Sequence, residues 1–243
     1  MSDRIEPVYY RPFPLARTCN ACSLGKSQPN GCGKIALGQA LCPQNGILLG
    51  VVSSYPSRED VEAALTLYVS NTYKGYSAGK YLQNSLQAIF RDTGLDIYSR
   101  TFLTNTVKCY PNKVAIKDAD ISWCTQRWLR PELEALPPGI PLLLSGTQAV
   151  KAVFPKLKGG LYANRGQVLY WRDHPTVITL NINDVERGHP RIVTAWQTEL
   201  GIRTPLSWKY APAMIMGTRP WLFARDLLRI KSLVVDYVAS QAS

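Results

Sequence analysis

The run Gly46-Ile47-Leu48-Leu49-Gly50-Val51-Val52-Ser53-Ser54 decides the reading of the fold. An unbroken apolar stretch this short, closed by two serines, predicts a strand buried on both faces. Such a strand needs cover above and below, and the chain supplies it. Residues 58–70 predict a helix, and Ser77 caps a second one with Leu82, Leu86, Ile89 and Phe90 at helical spacing and Gly94 as its stop. Thr101 to Val107 alternates as a strand. Asp118 or Asp120 opens a helix carrying Ile121, Cys124, Trp128 and Leu129 on one side. Leu142-Leu143-Leu144 is a short buried strand ending at Ser145-Gly146, followed by a helix from Thr147 to Phe154. Gln167–Trp171 and Thr176–Leu180 read as strands, and helices are expected over 190–200 and 221–239. Strands alternating with helices imply a three-layer α/β/α sandwich around a central, mainly parallel four-stranded sheet. Sites in such sheets lie beyond the carboxyl ends of the strands, here at 53–56, 104–111, 145–147 and 180–187.

The chain has 243 residues, 46% hydrophobic and 19% charged, a make-up that suits a folded globular protein. At this length roughly 70–75% of the unfolded surface is buried, so no disulfide is needed to hold a core. No stretch approaches the ~18 consecutive apolar residues of a membrane span. The opening MSDRIEPVYYRPFPLAR carries charges and no apolar run, unlike a secretory signal. A cytoplasmic monomer, away from membranes, is the expectation. The net charge of +11 is uneven: residues 1–144 hold 15 basic and 11 acidic side chains, residues 145–243 hold 13 and 6. An excess of this kind concentrates polyanions and favours nucleic acid or an anionic surface.

Six cysteines, Cys19, Cys22, Cys32, Cys42, Cys109 and Cys124, are many for a reducing compartment, where thiols serve metal or redox chemistry sooner than disulfides. Cys19-Asn20-Ala21-Cys22 presents two thiolates to one centre, and Cys109 and Cys124 complete four ligands. Spacing alone favours zinc, with an iron–sulfur cluster or plain buried thiols as alternatives. Cys32 and Cys42 are spare.

Several motifs in one order resemble a known family. Cys19-x-x-Cys22, Thr104-Asn105-Thr106-Val107-Lys108-Cys109-Tyr110-Pro111, Cys124, Ser145-Gly146-Thr147-Gln148-Ala149 and Arg165-Gly166 are similar to those of the iron–sulfur uracil-DNA glycosylases, families 4 and 5 of that superfamily. Tyr76-Ser77-Ala78-Gly79-Lys80-Tyr81-Leu82 resembles the family's G-R-A-G-x-x-L segment. The resemblance covers about residues 15–200. It implies a [4Fe–4S] cluster on Cys19, Cys22, Cys109 and Cys124, reversing the preference for zinc, and it implies that Asn105 hydrogen-bonds a pyrimidine edge. The partner it implies is DNA, either a duplex with a flipped base or a single strand.

The departures bear on the chemistry. Val51 stands where the family's water-holding acid would be, and Asn181 takes the position of its His. Lys74, flanked by Tyr73 and Tyr76, aligns with the aromatic that stacks on the base. Breaking an N-glycosidic bond builds positive charge on the sugar and negative charge on the base, and an enzyme answers with donors at the base and a carboxylate near the sugar. Asp184, in one loop with Asn181 and Asn183, is the nearest substitute acid, ahead of Glu186, Glu59 and Asp60. Val51, Ser53, Ser54 and Asn181 together predict a roomier, more polar pocket, suited to a flipped base larger than uracil. The expected function is monofunctional excision of a modified, bulky, phage-type pyrimidine, with Ser53, Ser54, Asn105 and Tyr76 holding the base in an open, positively charged cleft. No lysine is placed as a Schiff-base nucleophile. A conventional uracil glycosylase with displaced catalytic groups and a non-catalytic DNA-binding module remain as alternatives.

Arg187, His189 and Arg191 lie in the loop that the family presses on the minor groove. Lys108, Ser145 and Thr147 are further expected DNA contacts, and Lys151, Lys156 and Lys158 add candidate phosphate contacts. His174 reads as a turn residue. Residues 1–202 form the glycosylase-like domain and 203–243 an extension, whose Trp208, Tyr210, Trp221, Phe223, Leu227, Leu228, Ile230, Val234 and Val235 are expected to pack back on it.

Overall fold

The computed structural model describes residues 10–12, 18–28, 33–63, 78–182, 185 and 219–242. A small antiparallel hairpin comes first, pairing β1 (Thr18–Cys19) with β2 (Gly33–Lys34), with the short α1 (Ser23–Lys26) between them. The main elements then run β3 (Leu49–Ser53), α2 (Arg58–Ala63), α3 (Ala78–Ile89), β4 (Thr101–Asn105), α4 (Asp118–Cys124) and α5 (Arg130–Glu134). They continue with β5 (Leu142–Ser145), α6 (Thr147–Val153), α7 (Gly160–Asn164), β6 (Val168–Trp171), β7 (His174–Thr179) and α8 (Arg219–Gln241).

The sheet order is β4-β3-β5-β7-β6. The first four strands are parallel, and β6 adds an antiparallel edge. The expected four-stranded sheet therefore gains a fifth strand. Only Arg172 and Asp173 separate β6 from β7, and a connection that short joins only antiparallel neighbours; Arg172 takes φ 55° to make the turn. Every residue of β3, β4 and β5 is buried, so both faces of the sheet are covered. Leu82, Leu86 and Ile89 of α3 lie in the core. Gly94, at φ 69°, ends the short turn that follows.

The β4 strand stops at Asn105, two residues before the expected end. Beyond it the backbone still reaches across to β3, with Thr106 N donating to Ser53 O at 2.8 Å and Val107 N to Ser54 O at 3.0 Å. α4 passes through a π-helical turn (Thr125–Leu129) into α5, forming one helical rod that carries both Cys124 and Glu132.

The final helix belongs to the same core. Phe223, Leu227, Ile230 and Val234 are buried with the residues of β3, β5 and β7, and Phe223 meets the Tyr81 ring at 5.8 Å. Leu228 and Val235, expected to pack inward, are exposed because they sit on the opposite face of the helix. Trp208 and Tyr210 and the helix expected over 190–200 lie outside the described residues. Among the described residues no helix is long and apolar enough to cross a membrane.

Candidate functional site

The parallel strands deliver a row of polar residues to one edge. Ser53 stands in register with Asn105, and Ser145 with Thr179. At the β3–β4 end, Ser53 and Asn105 are fully buried. Among the described residues, Ser53 Oγ and both Asn105 side-chain atoms, Oδ1 and Nδ2, have no hydrogen-bond partner. An unpaired buried polar atom costs about 1–3 kcal/mol, which is why such atoms are scarce in folded proteins. The expected open cleft beside Asn105 is thus corrected: the amide is closed off from solvent. A cavity of about 500 Å³ lies elsewhere, lined by Ile121, Leu129, Arg130 and Lys151 of the helical layer and by Trp171 of β6.

Beside this pair, Ser54 Oγ donates to Gln148 Oε1 at 3.1 Å, and Asn181 Nδ2 reaches Ser54 Oγ at 3.4 Å. Gly146 makes this convergence possible. It adopts φ 92°, and a Cβ there would stand 2.9 Å from Ser54 Oγ and 3.1 Å from Asn181 Cβ. Residue type alone gives Gln148 no role in the site; its position in the first turn of α6, just after Ser145-Gly146, is the signal that could have found it. Val51 is fully buried in the sheet.

Several expected contacts change role. Lys108 does not meet DNA: its side chain is wholly buried against Glu132. Ser145 is also buried, its Oγ donating to Leu180 O at 3.1 Å and accepting from Ile182 N at 3.0 Å, so it ties β5 to the chain leaving β7. Thr147, Lys156 and Lys158 are exposed, and Lys151 pairs with Asp118 at 2.8 Å. Asp60 caps α2, accepting from Ser57 N at 2.7 Å. His174 is buried at the start of β7, with Nδ1 3.0 Å from Ile140 O. Tyr73, Lys74, Tyr76, Asn183, Asp184, Glu186, Arg187, His189 and Arg191 lie outside the described residues, as do Cys32 and the Glu59 side chain.

The four expected ligand cysteines come together from three segments. Cys22 caps α1, its Sγ accepting from Gly25 N at 3.5 Å, and Cys22, Cys109 and Cys124 are buried in one apolar cluster with Leu24, Ile35 and Ile121. Asp120 binds this layer together, accepting from Ser23 Oγ at 2.7 Å and from Leu24 N at 3.2 Å. Gly33 lets the hairpin close on the thiols, since a Cβ there would stand 3.0 Å from Cys109 Cβ. Burial, reinforced by Cys124, Cys22 and Cys19, pushes the Cys109 thiol up to about 12, and burial lifts Cys124 to about 11. A cation held among thiols in such mutual electrostatic reach would reverse those shifts. Among the described residues no three His, Cys, Asp or Glu side chains are arranged to hold a single metal ion. Cys42 stands apart, half-buried.

A third group joins α8 to the sheet. Asp226 accepts from Thr179 Oγ1 at 2.8 Å and from Arg165 at 2.6 Å, so the Arg165-Gly166 motif is held by the final helix. No curated protein matches the chain. The family model described as the uracil DNA glycosylase superfamily matches residues 49–203, a span that contains Ser53, Asn105, Gly146, Thr179 and Asn181, and the chain belongs to that superfamily.

Proposed function

We propose that this protein is a monofunctional DNA glycosylase that takes a flipped, modified pyrimidine onto the Ser53–Asn105 end of its sheet. The observation that carries this reading is the set of three buried, unpartnered polar atoms on those two residues. A donor and an acceptor on one amide match the edge of a base, and extruded bases are read by such edge contacts. The superfamily to which the chain belongs acts on DNA, and the net charge of +11 suits a polyanion.

In the reaction a water oxygen bonds to the sugar C1′, the C1′–N bond breaks, and the bonding pair leaves with the base. The water's proton passes to solvent or to the departing base. Asn105 Nδ2 offers a hydrogen bond to the base oxygen on which negative charge grows, a contact worth ~100–1000-fold in rate in comparable sites. Asp184, two residues from Ile182, is proposed to hold the water, because β3 offers only the buried Val51 at the corresponding strand. The proposal of a substituted pyrimidine rests on the small size of Ser53, Ser54 and Gly146 at these strand ends.

Cys19, Cys22, Cys109 and Cys124 are proposed to hold a [4Fe–4S] cluster. The four cysteines meet in one apolar cluster, and four Cys thiolates are the usual ligand set of such a group. When bound, it supplies a cross-link between the hairpin, the segment after β4 and α4.

The test is incubation with duplexes carrying uracil, thymine or substituted pyrimidines, followed by detection of abasic sites. Release of a substituted base ahead of uracil supports the proposal. Release of uracil alone favours a conventional uracil enzyme, and no release from any duplex, with binding retained, leaves a DNA-binding module.

A further inference from the structure

Behind Asn105 lies a charged pair that the chemistry above does not use. Lys108 and Glu132 are both wholly buried, with Nζ 2.6 Å from Oε2. Nζ also donates to Thr104 Oγ1 at 2.6 Å and to the Asn105 carbonyl at 2.5 Å. Thr104 Oγ1 donates to Glu132 Oε2 at 2.5 Å, and Glu132 Oε1 accepts from Gly38 N at 2.8 Å. All three ammonium protons are thereby spoken for.

Stability alone gives no reason to keep such a pair. Removing two charges from water costs about what their attraction returns, and apolar side chains of similar volume often hold a core as well. What the pair does give is a fixed point. It grips the main chain of Asn105 by its carbonyl while leaving the amide side chain free of partners. Its carboxylate comes from the helical rod that carries Cys124, and its ammonium from the residue before Cys109. The strand end holding the base and the two distal cysteine segments are therefore locked to one another through these two residues.

Resting on the glycosylase reading, we propose that Lys108 and Glu132 are positioning residues that hold Asn105 in the geometry required for base release, and that this, not folding, is what the buried pair secures. A displacement of about 1 Å in a reacting arrangement can cost ~100-fold in rate.

The experiment compares the full-length purified protein with the Lys108→Met/Glu132→Gln double variant, which removes both charges while leaving Gly38 N its acceptor. Melting temperature, iron content, amide hydrogen exchange at Thr106 and Val107, and steady-state base release are read together. The expected result is a melting temperature and iron content close to the parent, exchange at Thr106 and Val107 at least about tenfold faster, and kcat lower by ~10–100-fold with KM for duplex little changed. Unchanged exchange and unchanged kcat overturn the proposal, as does a loss of rate fully matched by a loss of stability. If the double variant does not fold, Thr104→Val removes two bonds of the network while leaving the Lys108–Glu132 pair in place and must show the same pattern in weaker form; parental behaviour there also overturns it. If the parent releases no base from any duplex, the glycosylase reading fails by itself, and the exchange arm still decides whether the pair fixes Asn105.

Discussion

Ser53 and Asn105 face each other across adjacent parallel strands, and their three side-chain polar atoms are buried without partners. Such a pair is costly to folding, so exchanging Asn105 for a side chain of similar size and no polarity should separate stability from function. Asn105→Leu is expected to stabilise the fold by about 1 kcal/mol or more, raising Tm by about 2–4 °C for a chain of this size. Base release should fall ~100–1000-fold. Melting curves and an abasic-site assay check both halves; a lower Tm with undiminished release contradicts the assignment.

Gly146 presents a different constraint. Its φ of 92° suits glycine, and a Cβ would meet Ser54 Oγ at 2.9 Å. Gly146→Ala should cost about 1–3 kcal/mol from backbone strain, together with displacement of Ser54 and Asn181. Urea denaturation measures the first effect and base release the second. Parental stability in the alanine variant would show that the turn tolerates a side chain.

Colour discriminates among the cysteines. Cys109→Ser should abolish visible absorbance and bound iron, whereas Cys42→Ser, outside the buried cluster, should leave both intact. Iron and sulfide determination on the two variants tests whether Cys109 is a ligand and Cys42 is not. Zinc in the parent protein would redirect the assignment to a single-ion site.

Asp226 gives the protein a pH signature. Burial lifts its carboxyl from 3.8 to about 6 and prevails over Thr179 and the Arg165 guanidinium beside it. The folded state thus holds this proton more firmly than the unfolded chain does. Its contribution is complete below about pH 4 and is lost as pH rises through about 6. Asp226→Asn, which cannot titrate, should gain on the parent across that interval by at most about 3 kcal/mol. Urea denaturation at a series of pH values reads the difference, and a difference that stays flat between pH 4 and 7 rules the coupling out.

Much of this architecture is legible in the order of residues. The apolar run ending at Ser53-Ser54 and the stretch ending at Asn105 are buried strands because no other element hides so short an apolar run, and parallel pairing then brings their ends to one edge. Leu82, Leu86 and Ile89 declare α3 by their spacing, though the helix ends at Ile89 and Gly94, at φ 69°, closes the short turn after it. The four cysteines proposed as ligands stand out by type and interval. The fifth strand is present too, in the two-residue gap at Arg172-Asp173.

Other features depend on distance in space between residues far apart in the chain. Lys108, expected to contact DNA, is buried because Glu132 arrives from 24 positions away to neutralise it. Asp226 crosses 47 positions to reach Thr179, and Gln148 crosses 94 to reach Ser54. Sequence periodicity determined which segments are strands and helices, since each hides its own apolar face. Only the tertiary structure decided which charges are paired and which polar atoms go without partners, because burial and hydrogen bonding are settled by what the rest of the chain brings alongside.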